Sequence, residues 1–164
     1  MKYLKEILII GGTGFIGYHL AKKSLKKGWK VTSISSNPPK KIRYLPKVNY
    51  VRCDITNKKL LKNRIKKNFD YVVNLGGYID HSNKKKTLLS HYNGCKNLTE
   101  IFLKKIPSSF IQIGTSLEYG NSNSPQKESI KCNLKSIKSI YGKAKLLSSN
   151  HVINLFKKKN FPST

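Results

Sequence analysis

A glycine-rich turn between an apolar run and a helix-like segment is the feature that most constrains the fold of this chain. Residues 11–17 read GGTGFIG, directly after the apolar run 7–10 (ILII) and directly before a helix-like stretch that ends near Lys27. Glycines at such a junction allow a tight turn and a close approach of the backbone to a phosphate, and the amino end of the following helix attracts negative charge. The pattern therefore predicts a strand–turn–helix unit that binds the pyrophosphate of a dinucleotide.

Apolar runs alternate with longer helix-compatible segments along the rest of the chain. Predicted strands lie at 4–10, 30–34, 48–52, 71–74 and 110–113, and predicted helices at 14–27, 58–68, 84–105 and 139–159. This alternation is typical of βαβ units and of a parallel sheet. Because 164 residues suffice for one core, we expect residues 1–164 to form one domain with no second domain.

Two segments fall outside this alternation. Residues 120–136 are rich in Ser, Asn and Lys and contain Pro125, so they are predicted to form a long loop of the kind that is often functional. Residues 160–164 read as the approach to a further strand. We therefore expect the chain to stop before a sixth strand.

The chain is strongly basic, with a formal net charge of +26. Of its 33 basic residues only Arg43, Arg52 and Arg64 are arginines, whereas specific recognition of phosphates and bases relies on the planar arginine fork. The lysines are scattered over almost every predicted element. We expect a general attraction for polyanions but no specific nucleic-acid partner.

The cysteines suggest a reducing compartment, and the amino terminus bears on where the protein is located. Cys53, Cys95 and Cys132 are widely spaced, so neither a disulfide framework nor a zinc site is indicated, and no metal site is predicted. The apolar run before the glycines is too short for a signal peptide, and no segment is long enough to span a membrane. We expect a soluble, cytoplasmic protein without a membrane partner.

Tyr141 and Lys145 form a second informative pattern near the start of a predicted helix. Residues four apart share one helix face. A phenol with a pKa of about 10 is a poor acid–base catalyst at neutral pH, but an adjacent ammonium stabilises the phenolate and lowers that pKa. The pair could therefore transfer protons, or it could be an ordinary surface pair in a chain rich in lysine and tyrosine.

The order of three motifs extends this interpretation. The glycine turn, the hydroxyl pair Thr115-Ser116 after the fifth predicted strand, and Tyr141 with Lys145 occur in the order and spacing of short-chain dehydrogenase/reductases. More narrowly, the chain resembles the extended branch, the NAD(P)-dependent nucleotide-sugar epimerases and dehydratases. The resemblance implies a Rossmann-type, doubly wound parallel sheet in three α/β/α layers, lacking the sixth strand and the C-terminal substrate lobe. It also implies NAD or NADP as cofactor and a nucleotide-sugar substrate. An uncovered sheet edge would allow a homodimer.

The resemblance assigns cofactor-binding residues to four segments. Gly11, Gly14 and Gly17 would form the pyrophosphate turn, with Phe15 and Ile16 as the usual intervening residues. The other assigned residues are Ser35 and Ser36 after the second strand, Asp54 and Ile55 after the third, and Asn74, Leu75 and Gly76 at the fourth. Asp54 would accept a hydrogen bond from the adenine amino group, although a carboxylate near a helix N-cap is nearly as good an interpretation from sequence alone.

The resemblance also assigns the catalytic groups. Thr115 would polarise the substrate oxygen beside Tyr141, which would transfer the proton. Lys145 would hold the nicotinamide ribose and lower the pKa of the tyrosine. The implied reaction is hydride transfer between a sugar carbon and nicotinamide.

Departures from the family pattern refine these expectations. Dehydratases place Asp and Glu directly after the catalytic Thr, whereas here Glu118 is displaced by one position, which favours epimerisation or keto-reduction over dehydration. No carboxylate follows the second strand, while Lys40, Lys41 and Arg43 lie nearby, which tilts the cofactor prediction toward NADP. His91 replaces a family Asn and is interpreted as a structural histidine.

Because the substrate lobe is missing, the alternative function is that of a non-catalytic dinucleotide-binding sensor, a scaffold or an inactive fragment.

Overall fold

The computed structural model describes residues 3–164, which form a five-stranded parallel sheet. The strands are β1 (Glu6–Ile10), β2 (Lys30–Ser35), β3 (Val48–Arg52), β4 (Tyr71–Asn74) and β5 (Ser109–Gln112). Their order across the sheet is β3-β2-β1-β4-β5, and every neighbouring pair is parallel. The connections therefore cross over on both sides of β1, as in a doubly wound sheet. All five predicted strands are present, and β1 begins two residues later than predicted.

Five helices connect the strands or follow them: α1 (Phe15–Lys26), α2 (Lys58–Arg64), α3 (Lys84–Leu88), α4 (Gly94–Phe102) and α5 (Ile140–Lys159). The single helix predicted over 84–105 is divided, because Leu89–Asn93 between α3 and α4 adopts a π-helical turn. The helix predicted over 58–68 was too long, since α2 ends at Arg64. Short 3-10 turns lie at Lys41–Arg43, Ser116–Tyr119 and Leu134–Ser136, the last within the predicted long loop.

Successive side chains of β1 pack against opposite faces of the sheet, because side chains alternate along a strand. Ile7 and Ile9 contact the cluster that contains Ala21 of α1. Leu8 and Ile10 belong to the larger cluster on the other face, which α2, α4 and α5 cover. The helices therefore flank the sheet on both sides, which confirms the predicted α/β/α layers.

The last residues of the chain begin to pair with the outer edge of β5. The amide of Phe110 donates to the carbonyl of Pro162 at 2.7 Å, and the amide of Thr164 donates to the carbonyl of Phe110 at 2.9 Å. A parallel bridge joins Phe110 to Ser163, and the Phe161 ring is fully buried beneath it. The predicted approach to a further strand is confirmed.

All three cysteines are free thiols, and burial raises the pKa of the Cys95 thiol to about 12. Within residues 3–164, no helix has the length and apolar character needed to cross a membrane. Over the same residues, no group of three or more His, Cys, Asp and Glu side chains could hold a metal ion.

Candidate dinucleotide and catalytic site

The glycine turn links the end of β1 to α1 in a backbone arrangement that side chains would disrupt. Gly11 has φ of +78°, and a Cβ there would lie 3.0 Å from the carbonyl of Leu75. The Gly14 amide donates to the Gly11 carbonyl at 3.0 Å and closes the turn. Gly14 is also the N-cap of α1, and no side chain caps its first amides. These uncapped amides can therefore bind an anion.

A cleft of about 610 Å³ opens beside this turn, at the carboxyl ends of the strands. Of the residues predicted to bind the cofactor, eight line the cleft: Gly11, Gly14, Ser35, Ser36, Asp54, Ile55, Leu75 and Gly76. A second cavity of equal volume lies at the other end of the strands, near their amino termini, and none of the predicted residues lines it. The structure thus brings together, in one cleft, residues that are distant in sequence.

Six predicted cofactor residues lie outside the lining of this cleft: Phe15, Ile16, Gly17, Asn74, and the two helix residues Tyr141 and Lys145, which are described below. Gly17 is buried, and a Cβ there would lie 2.4 Å from the Gly11 carbonyl oxygen, so it packs α1 against the turn. Phe15 and Ile16 are exposed on the first turn of α1. Asn74 is buried, and its amide group donates to Gln112 at 2.7 Å and accepts from the Gly76 amide at 3.1 Å. Asn74 therefore shapes the loop that follows β4 from beneath the cleft.

Asp54 is exposed at the cleft and is not a helix cap. The N-cap of α2 is Asn57, whose side chain accepts from the Leu60 amide. One Asp54 carboxylate oxygen accepts from the Thr56 amide at 2.8 Å. Asp54 is also the only carboxylate among the residues that line the cleft.

Thr115 and Glu118 stabilise the 3-10 turn after β5. The Thr115 hydroxyl accepts from the Leu117 amide at 3.4 Å, and the buried Glu118 carboxylate accepts from the Thr115 amide at 2.9 Å. In this capping box, the carboxylate that is nearest in sequence to Thr115 is already engaged in a hydrogen bond to the backbone. Glu118 thus has a structural role that sequence reasoning did not foresee.

Helix α5 carries Tyr141 and Lys145 beside that turn. Ser139 caps the helix by accepting from the Gly142 amide at 2.9 Å, and a Cβ on Gly142 would lie 3.0 Å from the Leu117 carbonyl oxygen. The Lys145 ammonium is buried and donates to the carbonyl of Ile113. Burial lowers the pKa of Lys145, and the Glu118 carboxylate opposes that shift. Its nitrogen lies 6.0 Å from the centre of the Tyr141 ring.

Two histidines pack against Tyr141. His81, in the loop before α3, stacks on the phenol with ring centres 4.1 Å apart and planes 10° apart. His91, in the π-helical turn, meets the same ring edge-on at 5.0 Å. No motif in the sequence indicated the His81 contact, because it joins a loop residue to a helix residue 60 positions away.

His91 is a buried structural residue, as the sequence suggested. Its Nε2 atom lies 3.2 Å from the carbonyl oxygen of Tyr78. A Cβ on Gly77 would lie 1.9 Å from the ring, so a side chain there would require the imidazole to move. Burial, together with the charge of Lys145, lowers the pKa of His91 to about 4. The imidazole is therefore neutral at physiological pH.

A glycine turn that opens a helix after the first strand, with a cleft at the carboxyl ends of parallel strands, defines a dinucleotide-binding fold of the Rossmann type. The sequence model of the NAD dependent epimerase/dehydratase family matches residues 7–164. The chain belongs to this family, which confirms the resemblance that the three motifs indicated. No curated protein sequence matches the chain at a significant level.

Solved structures of two nucleotide-sugar epimerases and of a third enzyme share the fold. The chain is similar to UDP-glucose 4-epimerase of Thermotoga maritima, solved with UDP-glucose, at 20% identity and a TM-score of 0.87, over 96% of this chain and 53% of that one. It is similar to the UDP-Glc/GlcNAc 4-epimerase of Campylobacter jejuni at 22% identity and a TM-score of 0.85, over 97% and 51%. It is also similar to WbmG of Bordetella bronchiseptica, solved with NAD and UDP, at 19% identity and a TM-score of 0.82, over 92% and 50%. The chain spans about half the length of these solved relatives.

Proposed function

We propose that this chain is the cofactor-binding part of a nucleotide-sugar epimerase or keto-reductase that uses a nicotinamide dinucleotide. The observation that supports this most is the position of Tyr141 and Lys145, in the first turns of a helix that packs against the Thr115 turn. Together with the cleft beside the glycine turn, these groups include an acid–base pair and an anion-binding helix terminus. Membership of the epimerase/dehydratase family supports the same class of reaction.

The residues that line the cleft fit a dinucleotide. The uncapped amides at Gly14 would hold the pyrophosphate, and the bare backbone at Gly11 and Gly76 would allow its close approach. Asp54 would accept from the adenine amino group. We favour NADP over NAD, because Ser35 and Ser36 at the end of β2 supply no carboxylate for a ribose diol.

Tyr141 would transfer the proton in this reaction. When bound, the nicotinamide supplies or accepts a hydride at a sugar carbon. Tyr141 would donate its hydroxyl proton to the oxygen of that carbon during reduction and take it back during oxidation. Thr115 would donate a hydrogen bond to the same oxygen, and the Lys145 ammonium would stabilise the phenolate.

Epimerisation or keto-reduction fits these residues better than dehydration. Elimination of water needs a free acid and a free base close to the sugar, in addition to the tyrosine. Glu118 is buried and accepts from the amide of Thr115. The carboxylate nearest to Thr115 in sequence is therefore already engaged in the 3-10 turn.

Cofactor titration with a matched pair of tyrosine variants tests the proposal. We expect saturable binding of NADPH or NADH, followed by the fluorescence of the reduced cofactor. In a protein that joins this cofactor-binding part to a substrate-binding part, Tyr141→Phe should keep that affinity but abolish hydride transfer to a UDP-4-keto-hexose. Tyr3→Phe alters a tyrosine at the amino ends of the strands, far from the glycine turn, and should retain both the cofactor affinity and the hydride transfer. Absence of saturable binding would contradict the cofactor assignment, and full turnover by Tyr141→Phe would contradict its acid–base role.

A further inference from the structure

We propose that His81 is a positioning residue, which holds the phenol ring of Tyr141 and links its position to the occupancy of the dinucleotide cleft. This inference rests on the proposed function and adds a residue to which no sequence motif assigns a role. His81 lies in the loop of residues 75–83 that connects β4 to α3, whereas Tyr141 lies in the first turn of α5.

The Tyr141 ring is held on a face and along an edge. The His81 imidazole covers one face, with ring centres 4.1 Å apart and planes 10° apart. His91 meets the ring edge-on at 5.0 Å, and the Lys145 ammonium lies 6.0 Å from the ring centre. Stacked and edge-on contacts are the two arrangements that aromatic rings favour. A ring packed in this way has little freedom to swing about χ1, so the position of the phenol hydroxyl depends on His81.

Both histidines depend on the same loop. His81 is part of it, and the Nε2 atom of His91 lies 3.2 Å from the carbonyl oxygen of Tyr78 in that loop. The Tyr78 amide donates to the Ser90 hydroxyl at 2.9 Å, which fastens the loop to the π-helical turn. A displacement of the loop would therefore alter both histidine contacts with Tyr141.

Short-range bonds shape the part of the loop that carries His81. The Asp80 carboxylate accepts from the amide of Ser82 at 3.1 Å and from its hydroxyl at 2.6 Å, which closes a turn around His81. The preceding residue, Ile79, is 91% exposed, so this stretch gains little from burial. The stacking of the imidazole is thus a contact that fastens an otherwise exposed stretch to α5.

The same loop forms one wall of the dinucleotide cleft. Residues 75–79 line the cleft, as does Lys86, whose ammonium lies 5.4 Å from the centre of the Tyr78 ring. A dinucleotide in the cleft would contact the loop at these residues, while His81 contacts Tyr141 a few residues further on. Coupling between two sites passes through packed side chains of this kind. Binding in the cleft should therefore be felt at Tyr141 through His81.

Aromatic NMR spectra of the free chain test the positioning role. The Tyr141 ring resonances are identified by their loss in Tyr141→Phe, and a stacked imidazole displaces them upfield. We expect His81→Ala to remove that displacement, and His81→Phe, which keeps a flat ring, to retain it. His19→Ala removes an exposed imidazole that contacts the rings of Phe15 and Tyr18, so it is a matched control that should leave Tyr141 unchanged. 

Titration with ADP-ribose tests the link to the cleft. This probe carries the pyrophosphate but lacks nicotinamide, so no nicotinamide ring can itself shift the Tyr141 resonances. In the unsubstituted chain and in His81→Phe, we expect the Tyr141 resonances to move saturably together with the amides of residues 11–17. In His81→Ala the amides should still shift and saturate, whereas Tyr141 should lose most of its response. His81 is exposed, so this truncation opens no core cavity and should leave the denaturation midpoint nearly unchanged.

The outcomes separate this inference from the proposed function. The role of His81 would be overturned if the free-chain Tyr141 resonances were the same with and without the imidazole. It would also be overturned if Tyr141 responded equally to ADP-ribose in both chains, or did not respond in the unsubstituted chain while the glycine turn did. Absence of saturable shifts at residues 11–17 with ADP-ribose, NADH and NADPH would overturn the proposed function instead, and the free-chain spectra would still decide whether His81 positions the ring.

Discussion

At the scale of single residues, Gly14 and Gly17 have different roles within one turn. A Cβ on Gly17 would lie 2.4 Å from the Gly11 carbonyl oxygen and 2.6 Å from the Cα atom of Gly12. Both are backbone atoms, so relief requires α1 to move away from the turn. A Cβ on Gly14 would meet its nearest atom at 3.2 Å, at an ordinary negative φ.

We therefore expect Gly17→Ala to lower the free energy of unfolding by about 2 kcal/mol, in the range of overpacked cores. Gly14→Ala should cost clearly less and should act mainly on the affinity for dinucleotide. Urea denaturation of the two variants measures the difference. Equal midpoints for Gly17→Ala and the unsubstituted chain would show that this residue does not limit the packing of α1.

His91 makes the stability of the chain depend on pH. Its pKa is lowered from 6.5 to about 4 in the folded chain, so the unfolded chain binds more protons between these values. Stability should therefore rise as the pH increases from about 4 to about 6.5 and fall as the pH decreases through that range. The contribution of this one group is up to about 3 kcal/mol.

Denaturation midpoints across that pH range, compared between variants, check the assignment. His91→Asn cannot titrate and should flatten the dependence, whatever its effect on absolute stability. His19→Asn alters an exposed residue and leaves the buried ring in place, so it should retain the dependence. A variant lacking His91 that keeps the full slope would assign the effect to other groups.

At the scale of elements, the first turn of α5 positions the proposed catalytic tyrosine. The Ser139 side chain accepts a hydrogen bond from the Gly142 amide and thereby caps the amino end of this helix. Ser139→Ala should cost about 1 kcal/mol, whereas Ser139→Asp should retain the cap. Hydrogen exchange of the amides at residues 140–143 should increase in the alanine variant alone. The same increase in both variants would show that Ser139 does not act as a cap.

The elements also show what the sequence can predict. Strand positions followed from short apolar runs, because buried parallel strands need apolar side chains on both faces. The π-helical turn at Leu89–Asn93 did not follow, since the helical pattern runs through it without a break. The position of Arg52 beside Ser36 depends on the pairing of β2 with β3, a long-range contact that no local pattern carries.

The same distinction holds within the candidate site. The glycine turn and the spacing of Tyr141 and Lys145 are local patterns, so the sequence alone correctly placed the turn at the start of α1 and the pair on α5. Asn74 was predicted to bind the cofactor but lies buried beneath the loop, because its amide bonds to Gln112 of the neighbouring strand. The stacking of His81 on Tyr141 likewise depends on tertiary packing.

At the scale of the whole molecule, the charge of +26 affects every binding measurement. The lysines are spread along the chain, so duplex DNA should bind through counterion release alone. Fluorescence anisotropy should then show no preference for sequence and a steep loss of affinity between about 0.05 and 0.2 M salt. Sequence-selective binding that survives the higher salt would contradict this account.

The central claim is that the cleft beside the glycine turn holds a nicotinamide dinucleotide. A titration of the ¹⁵N-labelled chain with NADPH, followed by amide chemical shifts, tests this claim most directly. The account predicts saturable, one-to-one shifts concentrated at residues 11–17, 35–37 and 75–78, which line or border the cleft. Shifts spread over the lysine-rich surface without saturation, or shifts that leave the glycine turn unchanged, would contradict it.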